Sequence, residues 1–227
     1  MSGTGQPETG QSEAGRPEAG RPAPRRRVGL FGGSFDPIHR GHLAPVRRAR
    51  RQLDLERVVY LPTARPPHKP DRDFAPALSR FAMVEMALLA EDGLYASDHE
   101  LTLGRPAYTV ETVEHFRGLW PDADLHLLIG GDSFAELHTW RRWRELVTMV
   151  ELVVLARPGW DFADLRGDLP EELARRVGDG AVHRVVEDPV DLSSTDLRRM
   201  LARGETPPDG AIPAPVLDYI RKYSLYR

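Results

Sequence analysis

The chain has 227 residues, enough for one domain with a proper core and an appendage. Its 31 basic and 34 acidic side chains leave a formal charge of −3, so no overall field argues for nucleic acid or an anionic membrane as a partner. The lack of cysteine removes disulfides, thiolate catalysis and thiolate zinc sites together and suits a reducing cytoplasm, while no apolar run approaches the roughly 18 residues of a membrane span.

Residues 1–27 read as a disordered low-complexity tail. Glycine recurs at Gly5, Gly10, Gly15 and Gly20 in pentapeptides with almost nothing apolar to bury, and Arg25, Arg26 and Arg27 close the tail as a solubilising flank. The secretory pattern is absent, since the segment has no apolar centre. A single domain is expected over 28–227.

Val28 to Phe31 is a short apolar run of the kind that fills a buried parallel strand, and Gly32 and Gly33 then let the backbone turn sharply near a ligand. Ser34, Asp36 and Pro37 are turn formers, and His39 and His42 stand three apart around Gly41, where a helix is expected to begin at His42 and run to about Leu53. Pro45 falls in the first turn of that helix, where its missing donor costs little. A helix N-terminus beside two imidazoles is a pocket for phosphate. Neither the lysine-terminated Walker loop nor the GxGxxG dinucleotide fingerprint is present.

Arg57 to Leu61 reads as a second buried strand, giving a right-handed βαβ crossover. PTARPPHKP follows as a stiff loop presenting His68 and Lys69 beyond the strand's C-terminal edge, either as a phosphate contact or as solvated side chains. A helix is expected from Leu78 to Ala90 with Phe81, Val84 and Leu88 toward the core, then a strand at Leu94 to Ser97. Arg105 and Pro106 lie in a loop, and Thr109 to Thr112 reads as a capping pattern at the next helix start.

Leu125 to Ile129 is a further buried strand ending in Gly130, Gly131 and Asp132. That acid either binds a ribose diol or caps a helix starting at Ser133. Of Trp140 and Trp143, three apart, one is expected in the core and the other at a pocket, where a flat indole can stack on a pyridinium ring. Val150 to Leu155 is a strand, Asp161 to Gly180 a surface helix, and Val182 to Val186 the last strand. Ser193, Ser194 and Thr195 open a helix with Arg198 one turn on, which is either a second anion site or a serine-capped helix with an arginine in its body. Residues 213–225 form a closing helix with Val216, Tyr219 and Ile220 docked on the core. The arginine runs at Arg47–Arg51 and Arg141–Arg144 read as solvated helix faces.

GSFDPIHRGH resembles the signature of the HxGH nucleotidyltransferase superfamily, and in its longer form that of the bacterial nicotinate-nucleotide adenylyltransferases. Four later stretches are similar to further motifs of that family in the same order: PPHK, AYT, IGGD with the following tryptophan, and LSSTDLR, which carries leucines where the family has isoleucines. The closing PAPVLDYI is similar as well. The resemblance spans about Val28 to the C-terminus. It implies an α/β fold, a Rossmann-like doubly wound parallel sheet with helices on both faces, and the transfer of the adenylyl group of ATP to nicotinate mononucleotide, giving deamido-NAD and pyrophosphate.

By the same resemblance, His39, His42 and Arg198 are catalytic. Gly32, Gly33, Ser34, Phe35, Gly130, Asp132, Ser194 and Thr195 bind ATP, and His68, Lys69, Thr109, Trp140 and Arg141 bind the nicotinate nucleotide. Backbone N–H groups around Trp140 and Arg141 would serve its carboxylate. Mg2+ is expected with ATP, with no dedicated protein metal site. ATP and nicotinate mononucleotide are the expected partners, nucleic acid and membrane are not, and a homo-oligomer stays open. Three alternatives accompany this reading: another acceptor, namely nicotinamide mononucleotide or phosphopantetheine; a nucleotide-binding regulator without turnover; and a zinc hydrolase using His39, His42, His68 and Asp36.

Overall fold

A computed structural model describes residues 25–64, 74–156, 159–165, 168–186 and 193–227. Six strands lie in one all-parallel sheet: β1 (Arg26–Gly33), β2 (Arg57–Pro62), β3 (Leu94–Ala96), β4 (Ala123–Gly130), β5 (Glu151–Ala156) and β6 (Val182–Val186). Their spatial order is β3-β2-β1-β4-β5-β6, the doubly wound arrangement in which the chain reverses direction across the sheet between β1 and β4. In register, Val28 to Phe31 of β1 lie between Arg57 to Tyr60 of β2 and Leu125 to Leu128 of β4. The central stretches of β1, β2, β4 and β5 are mostly apolar because both faces of the sheet are covered there, while the strand starts and the edge strand β6 carry polar residues.

One face carries α1 (Arg40–Gln52), α2 (Ala77–Leu88), α8 (Ser194–Ala202) and α9 (Ala214–Lys222), whose Leu43, Val46, Met83, Val84, Leu197, Val216 and Ile220 pack on Tyr60, Leu128, Val153 and Val185. The other carries α4 (Thr109–Leu119), α6 (Trp143–Met149) and α7 (Glu171–Gly178), packed on Val28, Leu30, Val59, Leu127, Leu152 and Val154. Between them run the short α3 (His99–Thr102) and α5 (Gly131–Ala135). Burying a side chain of this class is worth about 1.5–3 kcal/mol, so the two apolar faces supply most of the fold's cohesion.

Several boundaries differ from the sequence expectation. β1 takes in Arg26 and Arg27, with Arg26 gripping Glu56 through two hydrogen bonds at 2.6 and 2.5 Å. The first helix begins at Arg40, not His42, so Pro45 sits in its second turn. Asp161 to Gly180 is not one helix: a 3-10 turn at Phe162–Leu165 precedes α7. Phe81 is only half-buried, and the apolar stripe of α2 runs through Arg80, Met83, Val84 and Ala87. Residues 1–24, with most of the expected tail, and His68 and Lys69 lie outside the described residues.

Candidate active site

The chain reverses direction between β1 and β4, whose C-terminal ends carry Gly32 with Gly33 and Gly130 respectively, and the segments after these strands carry further predicted residues. Gly32 on β1 and Gly130 on β4 both border open space: a Cβ added at either would meet nothing within 4 Å. Gly33 is different, because a Cβ there would fall 2.9 Å from the ring of Phe35. That ring folds back into the core in T-shaped, edge-to-face contact with Phe31 and His42, which holds Phe35 at a φ of 45°. A left-handed backbone at a bulky residue costs about 1–2 kcal/mol and persists here because the ring is fully buried.

The start of α1 explains why it was misplaced. Its N-cap is His39, whose Nδ1 accepts from the N–H of Gly41 at 3.0 Å, while Nδ1 of His42 accepts from the N–H of His39 at 3.3 Å. The pair forms a capping box built from imidazoles, residues outside the usual cap preferences. The chemical consequence is direct. A nitrogen that accepts carries no proton, so each neutral ring must carry its proton on Nε2, away from the helix backbone. The rings lie 4.0 Å apart at 45°. Burial pushes His39 down to about 4, and burial together with the neighbouring His39 ring holds His42 well below its ordinary value. Both imidazoles are therefore neutral Nε2–H donors at neutral pH. The phenol of the buried Tyr60 supports this turn from below, donating to the carbonyl of His42 at 3.3 Å.

α8 brings the second group of predicted residues to the same turn. Ser193 is its N-cap, accepting from the N–H of Asp196 at 3.1 Å. Ser194 Oγ lies 3.4 Å from the carbonyl of Pro37, and Arg198 donates to the carbonyl of Asp36 at 2.5 Å and to Thr195 Oγ1 at 3.0 Å. The N-termini of α1 and α8 thus converge, and Arg198 is anchored with its side chain 15% exposed.

On the β4 side, Asp132 is exposed at the second position of α5; Gly130 is the N-cap, so the expectation of a cap at Asp132 fails. Gly131 is covered, since a Cβ there would lie 2.6 Å from Nε1 of Trp160. Of the two tryptophans, Trp143 is buried and Trp140 is half-buried, packed against the same core. The N–H of Trp140, however, donates to the carbonyl of Leu137 at 3.0 Å, so it does not serve a carboxylate. Thr109 is the first residue of α4 and its side chain makes no cap; Thr112 instead donates to the buried Glu100 at 2.9 Å. Tyr108 joins the two halves of the expected nucleotide subsite, with the guanidinium of Arg141 4.4 Å from its ring centroid.

Three contributors were not anticipated from the sequence. Arg80 is buried in α2 and donates to the carbonyls of Ala75, Ser34 and Ala64 at 3.0, 2.7 and 2.9 Å. The one signal for it was an arginine within the apolar stripe of a helix. Tyr226 reaches Asp36 from the C-terminus, and Trp160 roofs Gly131. The zinc alternative loses its acid: the Asp36 carboxylate faces the N–H of Ala75 and the hydroxyl of Tyr226, and both imidazole Nδ1 atoms are taken by the backbone.

Known proteins are similar to this chain over most of its length. The cytidylyltransferase-like family model matches residues 30–200. A protein of Chromobacterium violaceum named "Probable nicotinate-nucleotide adenylyltransferase" is 41% identical over 88% of this chain and 99% of its own, and one of the same name from Neisseria meningitidis is 42% identical over 88% and 98%. Among solved structures, a Plasmodium falciparum nicotinic acid mononucleotide adenylyltransferase complexed with APC superposes with a TM-score of 0.66 at 17% identity, covering 88% of this chain and 97% of that one, which supports the fold. With the HxGH turn at the sheet's reversal point and relatives of this identity along nearly their whole length, the chain belongs to the nicotinate-nucleotide adenylyltransferase family of cytidylyltransferase-like enzymes.

Proposed function

We propose that the protein transfers the adenylyl group of ATP to nicotinate mononucleotide, forming deamido-NAD and pyrophosphate, a step of NAD biosynthesis in the cytoplasm. A phosphate oxygen of the mononucleotide attacks the α-phosphorus of ATP in line. The new P–O bond forms as the bond to the β-phosphate oxygen breaks, and pyrophosphate leaves with the electron pair. The nucleophile is already ionised at neutral pH, so neither a protein nucleophile nor a strong base is needed. Catalysis reduces to alignment and to neutralising charge on the transferring group.

The observation that carries the reading is the imidazole capping box. It sets Nε2–H of His39 and His42 as fixed donors beside the N-terminus of α1. In this reading His42 contacts the transferring phosphoryl, His39 the phosphates of either substrate, and Arg198 with Ser194 and Thr195 the departing pyrophosphate. Gly32, Gly33 and Ser34 line the triphosphate path, Phe35 being fully buried and so shaping the turn from the core instead of facing the ligand, and Gly130 with Asp132 takes the ribose. Thr109, Trp140 and Arg141, with His68 and Lys69, take the nicotinate nucleotide, Trp140 by stacking. A divalent ion such as Mg2+ fits only as a passenger on ATP, since the donors at this turn are imidazole and amide N–H rather than carboxylate oxygens; it supplies charge neutralisation on the phosphates.

Steady-state kinetics with nicotinate and nicotinamide mononucleotides and with phosphopantetheine, on the parent and His42→Ala, tests the proposal. The parent should release pyrophosphate fastest with the nicotinate form, and the variant should lose at least about a hundredfold in turnover with unchanged circular dichroism. Equal turnover in parent and variant, or a preference for another acceptor, overturns it.

A further inference from the structure

A second constellation stands at the opposite end of the sheet. His126 on β4, Glu151 at the start of β5 and His183 on β6 occupy three neighbouring strands. The register pairs His126 with Glu151 and Val153 with His183, and each of the three lies two residues before a side chain of the α1-covered core, namely Leu128, Val153 and Val185. Strand alternation therefore puts all three on that same face. They sit about 13 Å along β4 from Gly130 and take no part in the candidate active site.

Their atoms converge on one point. Oε2 of Glu151 lies 2.7 Å from Nε2 of His183 and 3.3 Å from Nε2 of His126, and the ligand atoms of all three lie within 4.8 Å of one another. His126 is buried, and its Nδ1 lies 3.1 Å from the carbonyl of Asp124. A carbonyl can only accept, so Nδ1 carries the proton and Nε2 of the neutral ring holds a lone pair. That lone pair faces a carboxylate oxygen, an acceptor against an acceptor, which is unfavourable unless a positive species lies between them.

We propose that His126, Glu151 and His183 form a binding site for a zinc-like divalent d-block cation that ties β4, β5 and β6 together. Two imidazole nitrogens and one carboxylate oxygen make a tetrahedral zinc set with one position left for water. At metal–ligand distances of about 2.0–2.2 Å the ligand atoms of a tetrahedron stand about 3.3–3.6 Å apart; the 3.3 Å between Glu151 and His126 already matches, while the 2.7 Å between Glu151 and His183 would open as the ion enters. Imidazole donors favour zinc, nickel or copper over magnesium or calcium. The hydrogen bond from His126 to Asp124 is the outer contact that usually orients a ligating imidazole. Binding would replace the contact between His183 and Glu151 with bonds from both to the ion. Arg27 on β1 places positive charge near His126 and Glu151 and moderates the affinity.

The test uses the untagged full-length chain, stripped with a chelator and titrated with Co2+ and then Zn2+. One equivalent of Co2+ should give the visible bands of a four-coordinate site, Zn2+ should displace it, and the melting temperature should rise. Glu151→Gln and His183→Ala, both partly exposed and so expected to fold, should each weaken uptake by at least about tenfold, while His42→Ala should leave it unaltered. Absence of uptake by the parent, uptake in both variants as tight as the parent's, or its loss in His42→Ala overturns the proposal.

Discussion

The hydroxyl of Tyr226 donates a 2.7 Å hydrogen bond to Oδ1 of Asp36, joining the last turn of the chain to a residue 190 positions earlier. Asp36 is fully buried; the same oxygen accepts from the N–H of Ala75 at 3.1 Å, and Oδ2 lies 3.6 Å from Nη1 of Arg198. A buried carboxylate is tolerated only when its partners are in place. The turn that presents His39 is therefore held by three distant segments at once.

Removing the phenol oxygen should loosen that turn without unfolding the domain. Tyr226→Phe is expected to cost about 2 kcal/mol in a urea titration, the scale of one hydrogen bond to a charged group. Turnover should fall more than the KM for either substrate changes, because the turn aligns the reacting groups. A variant with parental kinetics would show that Tyr226 is not a positioning residue.

Arg80 serves the same turn differently. Its guanidinium holds the carbonyls of Ser34, Ala64 and Ala75 together, linking the segments after β1 and β2 to the start of α2. Arg80→Met would leave those carbonyls without their donor, and a loss on the order of 3–5 kcal/mol is expected by chemical denaturation. Arg80→Lys should not rescue it, since an ammonium group lacks the planar fork that reaches all three. Parental stability in the lysine variant would refute the clamp.

Stability should depend on acid through His39. Its folded value is pushed from 6.5 down to about 4, so on acidification the unfolded chain takes up a proton first. This contribution is fully present above about pH 6.5 and is lost as the pH falls toward about 4, by up to about 3 kcal/mol. Urea midpoints at the two ends of that window measure it. His39→Asn keeps a good N-cap and should flatten the dependence; an unchanged slope would assign the effect elsewhere.

Two glycines of the candidate site should behave oppositely. Gly32→Ala meets open space, so it should fold like the parent and raise the KM for ATP by filling the approach to the phosphates. Gly131→Ala drives a methyl against Trp160, whose indole must swing aside, and tryptophan emission should shift to the red. Parental ATP kinetics for the first, or an unshifted spectrum for the second, would contradict these placements.

Much of the architecture was legible in short apolar runs. Val182 to Val186 is a strand with the predicted ends, and the other strand runs lie within a residue or two of their expected bounds, because a parallel strand covered on both faces is apolar over its buried stretch. The meeting of the HxGH turn with the start of α8, where Ser194 and Arg198 reach the carbonyls of Pro37 and Asp36, shows only in the fold. The start of α1 was misread because capping by histidine has no propensity signal, and only the meeting of both Nδ1 atoms with backbone N–H groups reveals it.

Local chemistry along the chain was thus enough to specify the strands, the helices and which loops carry polar groups: periodicity, turn residues and caps act over a few positions. Partnerships across long separations were beyond its reach. Nothing near Tyr226 announces Asp36, nothing near Arg80 announces three carbonyls, and nothing in the spacing of His126, Glu151 and His183 announces a common point. Those meetings exist because parallel strands place residues far apart in the chain side by side, and burial then makes each polar group's partner compulsory.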